Sequence, residues 1–423
     1  MMMRTNELIL YKLKEQDDLI RNMSELMEHF DKTLFYACMN RILETASSNG
    51  FYGNLWHCYL MDFLVNHENA YSLSCEIRET SHYSLKELVQ HDCEILLELF
   101  HFDMSDYLSD DELKIYKHIV AYQTGDDGGS IYNDRIRHMI CETAALFGHA
   151  TDAIQAEKIL SEFYRKYGVG KFGLHKAFRV QKSGEDSQIV PIRRIAHVHL
   201  DDLVGYEIAK KKLVENTESF VSGRAANNCL LFGDAGTGKS SSIKAIVNEY
   251  YDRGLRIIEI YKHQFGELNQ VISQIKHRNY KFIIYMDDLS FEESELEYKY
   301  LKAVIEGGME KKPDNVLIYA TSNRRHLIRE TFRDKEDRRD DDIHKGDTVQ
   351  EKLSLVARFG VTIFYSAPTK NEFQKIVLTL AKRNQVDMPE EELLAEANKW
   401  ELFHGGMSGR SAQQFINSVL GRM

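Results

Sequence analysis

Residues Gly233 to Ser240 form the stretch whose residue types and spacing are best suited to chemistry. They read Gly-Asp-Ala-Gly-Thr-Gly-Lys-Ser and fit the phosphate-binding pattern G-x-x-x-x-G-K-[ST] without a mismatch. In such a loop, backbone N–H groups surround a phosphate at the positive end of a helix. The Lys239 ammonium would reach the β- and γ-phosphates, and the Ser240 hydroxyl would ligate Mg²⁺. The predicted nucleotide-binding residues of this stretch are Gly233, Asp234, Ala235, Gly236, Thr237, Gly238, Lys239, Ser240 and Ser241.

A second group of candidate residues, Asp287 and Asp288, follows the apolar run Phe282–Met286. In parallel α/β folds, ligands bind at the carboxyl ends of the strands, so an aspartate just after a buried strand lies at the ligand-binding edge. We predict that Asp287 holds Mg²⁺ or its water shell and that Asp288 polarises the attacking water. The alternative is a pair of solvated acids that end a strand. The matching phosphate loop earlier in the chain favours the metal site.

The elements that must position these residues are visible as short apolar runs separated by helical patterns. A short apolar run rich in β-branched and aromatic residues is typical of a buried strand. Alternation of such strands with helices predicts a parallel, doubly wound α/β sheet that is covered on both faces. The five predicted strands are Cys229–Phe232, Arg256–Tyr261, Phe282–Met286, Val316–Ala320 and Val361–Tyr365.

The order of these motifs along the chain resembles that of AAA+ ATPases. More narrowly, several stretches resemble the bacterial AAA+ family called domain of unknown function 815, over roughly residues 160 to 423. The broader relatives are the bacterial replication initiator and its helicase loader. The resemblance implies a P-loop NTPase core with a five-stranded parallel sheet, which binds and hydrolyses ATP with Mg²⁺. The stretches that carry it are Asp202–Tyr206, Met286–Phe291, Thr321–His326, Glu351–Leu355 and Arg358–Gly360.

The resemblance also implies roles for residues outside the phosphate loop. Asn323 would be sensor 1, and Arg410 would be sensor 2. Arg358 would be the arginine finger that reaches the γ-phosphate of a neighbouring subunit, and Val204 and Gly205 would lie against the adenine. If Arg358 acts in this way, the active form is a homo-oligomer, because each site is completed by its neighbour.

One departure from the AAA+ pattern concerns the acidic pair. AAA+ proteins usually carry Asp-Glu where this chain has Asp287 and Asp288. The shorter side chain draws the second carboxylate back by about 1.5 Å, the length of one C–C bond. An ATP-dependent switch that hydrolyses ATP slowly or not at all is therefore an alternative to a rapid ATPase.

A second departure is the length and charge of the segment between Asn323 and Arg358. Its first part, Arg324–Arg339, is dense in charge and lacks an apolar face, which is typical of an exposed loop or surface helix. An alternative is that its arginines contact a nucleic-acid backbone. A further alternative is that Arg333 or Arg338, rather than Arg358, is the finger that acts in trans.

Three regions are predicted along the chain. No proline precedes Pro191, so residues 1–190 are predicted to form a mostly helical N-terminal domain with a linker. This domain is the candidate site for an unknown protein partner. Residues 191–366 are predicted to form the nucleotide-binding core, and residues 367–423 a small helical lid. Arg410 lies in the first turn of the lid's last predicted helix, where a bound polyphosphate would offset its unfavourable interaction with the helix dipole.

The composition sets limits on partners and location. The chain has 423 residues, 43% hydrophobic and 28% charged, as expected of an ordinary soluble globular protein. The formal net charge of −11 makes nucleic acid a possible but not a favoured partner. The six cysteines lack metal-ligand spacing, which indicates reduced, buried thiols. Neither a signal-peptide segment nor an apolar run of about 20 residues is visible, so we predict a cytoplasmic protein without a membrane span.

The leading hypothesis from the sequence is an oligomeric, Mg²⁺-dependent ATPase that remodels or loads an unknown macromolecular partner. The first alternative is the slow or non-hydrolysing switch, which depends on Asp288. The second is a DNA-associated loader or initiator, which depends on Arg324–Arg339.

Overall fold

The chain divides into two units, residues Met1–His175 and Lys176–Met423. The sequence had placed the end of the N-terminal region at residue 190, beyond this division. The computed structural model describes residues 4–15, 17–76, 83–123, 131–184, 186–193, 195, 198–291, 295, 297–306, 313–323, 327 and 355–422. Among these residues, no helix combines the length and apolar character needed to span a bilayer.

The first unit is built from helices packed around one apolar core. The aromatic residues near its start lie in this core, where Phe51 is 1% and Trp56 is 4% exposed. This burial agrees with an aromatic core rather than a base-stacking surface. All six cysteines of the chain are free and buried. The helices are α1 (Asp18–Glu28), α2 (Lys32–Asn49), α3 (Leu55–Asn66), α4 (Ala70–Cys75), α5 (Tyr83–His101), α6 (Asp110–Val120), α7 (Asp134–Gly148), α8 (Ala153–Tyr167) and α9 (Gly170–Leu174).

The second unit contains a seven-stranded sheet in the order β2-β1-β4-β5-β6-β3-β7. The five predicted strands are all present and run parallel as β3 to β7. The prediction of a five-stranded sheet is wrong, because two further strands extend one side. The strands are β1 (Ala177–Ser183), β2 (Asp186–Pro191), β3 (Cys229–Gly233), β4 (Leu255–Glu259), β5 (Lys281–Met286), β6 (Val316–Ser322) and β7 (Val361–Tyr365).

The two additional strands form a hairpin that extends the sheet beside β4. Strand β1 pairs parallel with β4 and antiparallel with β2. Phe178 and Val180 are buried, whereas the edge strand β2 alternates exposed and buried residues over its first four positions. A polar appearance is expected of an edge strand with only one buried face. This polar appearance is the reason why β2 was not among the strands predicted from the sequence.

Helices join the parallel strands and cover the sheet, and a helical lid follows β7. A core of buried residues, among them Leu231, Ile246 and Ile283, packs helices α10 and α11 against the strands. The lid has its own apolar core, which includes Phe373, Leu393 and Phe415. The helices of this unit are α10 (Glu207–Val221), α11 (Lys239–Tyr250), α12 (Leu268–Ile275), α13 (Glu297–Glu306), α14 (Lys370–Arg383), α15 (Glu390–Phe403) and α16 (Gly409–Leu420).

Candidate nucleotide site

The glycine-rich loop connects the end of β3 to the start of α11. Gly236 and Gly238 have φ angles of +75° and +90°, which residues with a Cβ rarely adopt. Gly233 has φ of +135°, and a Cβ there would lie 2.0 Å from the carbonyl oxygen of Tyr365 on β7. The loop sequence therefore folds as the strand, glycine turn and helix that the motif predicts, with the N-terminus of α11 at its end.

The Lys239 side chain lies across the base of the loop and uses three acceptors. Its Nζ donates to the carbonyl oxygens of Gly233 at 2.9 Å and Asp234 at 2.6 Å, and to Oδ1 of Asn323 at 3.0 Å. Burial lowers the pKa of Lys239, although the nearby charges of Asp234, Asp288 and Asp287 oppose this shift. An ammonium group held in this way is available to an anion that replaces one or more of these acceptors.

Asp287 lies just after β5 and receives hydrogen bonds from three hydroxyl groups. Ser240 donates to its Oδ1 at 2.7 Å, Tyr285 at 2.6 Å and Thr321 at 2.6 Å. Burial by itself raises the pKa of Asp287, but the three hydroxyl groups outweigh this effect and the pKa lies below its usual value. The carboxylate is therefore held ionised and in a fixed orientation.

The donor set around Ser240 and Asp287 fits a hard divalent cation such as Mg²⁺. The Ser240 hydroxyl donates its hydrogen bond to Asp287, so the lone pairs of its oxygen remain available to a cation. Asp287 supplies a carboxylate, the ligand type that Mg²⁺ prefers. Within the described part of the chain, no cluster of three or more His, Cys, Asp or Glu side chains is arranged to hold a metal. Few protein ligands are expected where substrate phosphates and water complete the coordination of Mg²⁺.

Asp288 and Asn323 form a second polar pair beside this one. Asp288 has φ of 49°, a left-handed conformation that is uncommon for a residue with a side chain. Its Oδ1 accepts a hydrogen bond of 2.8 Å from Nδ2 of Asn323. The Oδ1 atom of the same amide accepts from Lys239 at 3.0 Å. Asn323 therefore bridges the phosphate-loop lysine and the second acid of the pair.

A cavity of about 770 Å³ is bounded by the loop, the acidic pair and the lid. This volume lies within the range of small-molecule sites. Ala235 to Ser241, Asp287, Asp288 and Asn323 line its polar part. The other two predicted loop residues, Gly233 and Asp234, do not line the cavity, and their carbonyl oxygens accept hydrogen bonds from Lys239. The apolar part is lined by Val198, Leu203, Val204, Tyr206, Ile376 and Leu380.

Of the two predicted adenine-contact residues, only Val204 is among the residues that line this apolar part. Val204 lines the cavity, and Gly205 follows it with φ of +85° and open space around its Cα. Tyr206 has φ of 60° and begins α10. Its ring lies 5.3 Å from that of Tyr365, and burial raises its pKa to about 12. A flat apolar surface of this kind suits a purine ring.

The lid brings Arg410 to the cavity at the start of α16. Its side chain is exposed and lines the cavity, and its backbone N–H donates to the carbonyl oxygen of Gly236 at 3.2 Å. This hydrogen bond joins the lid directly to the phosphate loop. Arg358 precedes β7 and is not among the cavity-lining residues. Apart from Leu327, the arginine-rich segment Arg324–Arg339, with Arg333 and Arg338, lies outside the described residues.

Comparison with known proteins identifies the family. Residues 173–423 match the family described as "Protein of unknown function (DUF815)", and this match covers more than half of the chain. The chain belongs to this family. The resemblance to this family that was predicted from the motifs is therefore confirmed.

Other similarities of this DUF815 protein are more distant. The large subunit of replication factor C from Staphylothermus marinus is 38% identical over 65 residues, which are 15% of each chain. A point mutant of RuvB from Thermotoga maritima has a TM-score of 0.36 at 17% identity, over 52% of this chain and 64% of its own. The FIGL-1 AAA domain in complex with ADP has a TM-score of 0.37 at 17% identity, over 54% of this chain and 74% of its own.

Several residues of the site had no assigned role in the sequence. Tyr285 lies inside an apolar run and looks like any other core residue, although its hydroxyl reaches Asp287. In the sequence, Thr321 is only the first of the polar residues that follow the predicted strand Val316–Ala320. Ile376 and Leu380 line the cavity but have the spacing of a lid helix that packs on its own core. Of these residues, only Thr321 had a signal in the sequence, namely a polar side chain at the end of a buried strand.

Proposed function

We propose that this DUF815 protein binds ATP with Mg²⁺ in the cavity and hydrolyses it to drive remodelling or loading of a macromolecular partner. The observation that carries the proposal is the convergence of Lys239, Ser240, Asp287, Asp288 and Asn323 on one cavity. Two of these residues come from the phosphate loop and three from the ends of neighbouring strands. Phosphoryl transfer requires mainly positioning and charge neutralisation, and these side chains supply both.

Binding would begin with an exchange of partners at Lys239. The β- and γ-phosphates replace acceptors that Nζ now uses, and the backbone N–H groups of the loop donate to the same phosphates. The adenine would lie against Val204, Gly205 and Tyr206. Loss of the hydrogen bond from Lys239 to Asn323 leaves the Asn323 amide free to turn toward the γ-phosphate or the attacking water.

Ser240 and Asp287 would hold Mg²⁺. Bound there, the ion neutralises phosphate charge and helps to align the β- and γ-phosphates. The fixed orientation of Asp287 reduces the reorganisation needed when the ion arrives.

Asp288 and Asn323 would position the water that attacks the γ-phosphate. Asp288 accepts the hydrogen bond of that water, and the Asn323 amide orients it by a second contact. The existing bond between Asp288 and Asn323 keeps both groups on the same side of the cavity. The shorter reach of Asp288 is offset by this placement only if the water is close to both groups.

Arg410 and Arg358 would complete the site. Arg410 lines the cavity from the lid, so closure of the lid around ATP would bring its guanidinium to the phosphates. Arg358 would act on the site of a second copy, which makes the active form a homo-oligomer. The N-terminal helical unit is the proposed binding site for the protein partner.

The test of the proposed function is a Lys239→Ala variant, with Lys211→Ala as the control. The Lys211 side chain is 76% exposed on α10 and is not among the cavity-lining residues. Binding of a fluorescent ATP analogue and release of phosphate are measured for both. We expect Lys239→Ala to lose at least about 100-fold in turnover, since it removes the cation that neutralises the phosphates. Hydrolysis by Lys239→Ala at the wild-type rate would refute the proposal.

A second candidate function is favoured by the contact between Asp288 and Asn323. An Asp in place of Glu reaches less far toward a water, and its carboxylate already accepts a hydrogen bond from the Asn323 amide. The protein would then act as a switch that binds ATP, oligomerises and hydrolyses little. Turnover measured in the assembled form separates the two functions, because turnover that stays undetectable there favours the switch. The DNA-associated loader depends on Arg324–Arg339 and receives no support from the described residues.

A further inference from the structure

Thr321 makes more contacts with the acidic pair than any motif assignment explains. It is the second-last residue of the buried strand β6 and is 2% exposed. Its Oγ1 donates to Oδ1 of Asp287 at 2.6 Å and accepts from the backbone N–H of Asp288 at 2.9 Å. Its carbonyl oxygen accepts from the N–H of Leu289 at 2.7 Å. One residue therefore binds three consecutive residues that follow β5.

These contacts fix which of the two hydrogen bonds the Thr321 hydroxyl donates and which it accepts. A hydroxyl has one proton to donate, and here the proton goes to the Asp287 carboxylate. One of its lone pairs receives the N–H of Asp288. Reversal of either bond is excluded, because a backbone N–H only donates and an ionised carboxylate only accepts.

The bond to the backbone of Asp288 coincides with an unfavourable conformation. Asp288 has φ of 49°, and a non-glycine residue stays in this region only when its surroundings hold it there. This turn directs the Asp288 carboxylate to Asn323, with 2.8 Å between Oδ1 and Nδ2. The Thr321 hydroxyl is thus linked to the orientation of both acids, to one directly and to the other through the backbone.

Tyr285 provides a matched comparison within the same site. Its hydroxyl donates to the same Oδ1 atom of Asp287 at 2.6 Å, and it is likewise 2% exposed. No described hydrogen bond joins it to Asp288. Of the two acids, loss of the Tyr285 hydroxyl therefore directly affects only Asp287, whereas loss of the Thr321 hydroxyl affects both.

We propose that Thr321 is a positioning residue that orients the Asp287 carboxylate toward the cation and holds Asp288 in the turn that aims it at the water. The inference rests on the proposed ATPase function. It assigns two separable effects to one hydroxyl group: cation affinity through Asp287, and turnover through Asp288.

The experiment compares Thr321→Val, Thr321→Ser and Tyr285→Phe in the full chain. Two quantities are measured: the Mg²⁺ concentration for half-maximal binding of a fluorescent ATP analogue, and turnover at saturating Mg²⁺ and ATP. Valine keeps the shape of threonine without the hydroxyl, and serine keeps the hydroxyl. Thermal unfolding of each variant reports on the fold, and Thr321→Ala replaces Thr321→Val if the latter does not fold.

We expect Thr321→Val and Tyr285→Phe each to raise the half-maximal Mg²⁺ concentration by about 10-fold, as for other groups that orient a metal ligand. Only Thr321→Val is expected also to lower turnover at saturation, by about 10- to 100-fold. Thr321→Ser should restore both quantities to near the wild-type values, which a loss of packing alone would not explain.

Two results would overturn the inference. One is a Thr321→Val variant whose turnover at saturation equals that of Tyr285→Phe. The other is a Thr321→Ser variant as defective as Thr321→Val. Either result leaves the proposed function intact, provided that the wild-type chain binds the ATP analogue in a Mg²⁺-dependent manner. Absence of that binding in the wild type would instead contradict the proposed function itself.

Discussion

The packing of two strands requires a glycine at the first position of the phosphate loop. Gly233 ends β3, and β7 lies directly beside it, with Gly233 in register with Tyr365. A Cβ on Gly233 would lie 2.0 Å from the carbonyl oxygen of Tyr365 and 2.8 Å from its carbonyl carbon. The opposing atoms belong to the backbone, so no side-chain rotation relieves the overlap. Replacement by alanine must displace the end of β7.

The cost of Gly233→Ala follows from three terms. An alanine at φ of +135° occupies a region that is open almost only to glycine, which costs about 1–3 kcal/mol. Displacement of Tyr365 lengthens the 3.0 Å hydrogen bond from the N–H of Asp234, worth about 1 kcal/mol. Disturbed packing of the fully buried Tyr365 adds about 1 kcal/mol or more. We therefore expect a loss of about 3–5 kcal/mol in the free energy of unfolding of the second unit.

The control is Gly223→Ala, in the turn that follows α10. Gly223 has φ of +73°, and a Cβ there would meet no atom within 4 Å. It shares the backbone strain but not the steric overlap, so we expect a loss of only about 1–2 kcal/mol. Chemical denaturation of both variants, followed by circular dichroism in the absence of nucleotide, measures the difference. If Gly233→Ala proves as stable as Gly223→Ala, the argument from strand packing is refuted.

Two further predictions concern polar residues in the two units. Asn323→Ala should lower turnover by about 100-fold, yet change the free energy of unfolding by less than about 1 kcal/mol, because Asn323 is exposed and Lys239 keeps its two backbone acceptors; a large fall in melting temperature would contradict this expectation. Burial raises the pKa of Asp62 to about 6 despite hydrogen bonds from Tyr132 and Asn66. The folded state therefore binds this proton more tightly than the unfolded state, and stability is lost as the pH rises from about 4 through 6, by at most about 3 kcal/mol. Asp62→Asn should remove this part of the pH dependence, measured as the difference between the two proteins' melting temperatures at about pH 4.5, near the start of that window, and at about pH 7.5, above it. An unchanged difference across that range would show that Asp62 titrates normally.

The sequence predicted those parts of the fold whose signals are local. Four of the five parallel strands, β3 to β6, are buried at nearly every position, so each one is a short and largely apolar run. The fifth, β7, lies at the edge of the sheet and alternates exposed and buried residues, but it is rich in aromatic and β-branched residues. Strand β2 escaped the prediction because this edge strand alternates buried and exposed residues and contains polar side chains, whereas residues 176–180, most of which lie in β1, were expected to be either a strand or an extended connector. Its partner β1 is identified only by its pairing with β4, which is distant in the sequence. Pairing of this kind depends on tertiary structure and leaves no local pattern.

The same distinction applies to the candidate site. The phosphate loop and the acidic pair are each contiguous in the sequence, so their residue types and spacing were sufficient to predict them as site residues. The contacts between them are not contiguous: Lys239 reaches Asn323 across 84 residues, and Thr321 reaches Asp287 across 34. Hydroxyl groups inside apolar runs, such as that of Tyr285, cannot be told from core residues until the strands are placed side by side.

The contacts of Asn323 bear on the choice between an ATPase and a switch. Its amide accepts from Lys239 and donates to Asp288, so the lysine and the acid are bound to one small group. A γ-phosphate that draws Lys239 away removes the first bond and thereby alters the second. The state of the phosphate is then transmitted to Asp288 through a single side chain over two hydrogen bonds. In this arrangement Asn323 controls when the Asp288 carboxylate can turn to the water, and it does so only when the phosphate is bound. The shorter side chain of Asp288 is then a smaller disadvantage. The replacement of Glu by Asp therefore argues less for loss of hydrolysis than for hydrolysis that depends on Asn323.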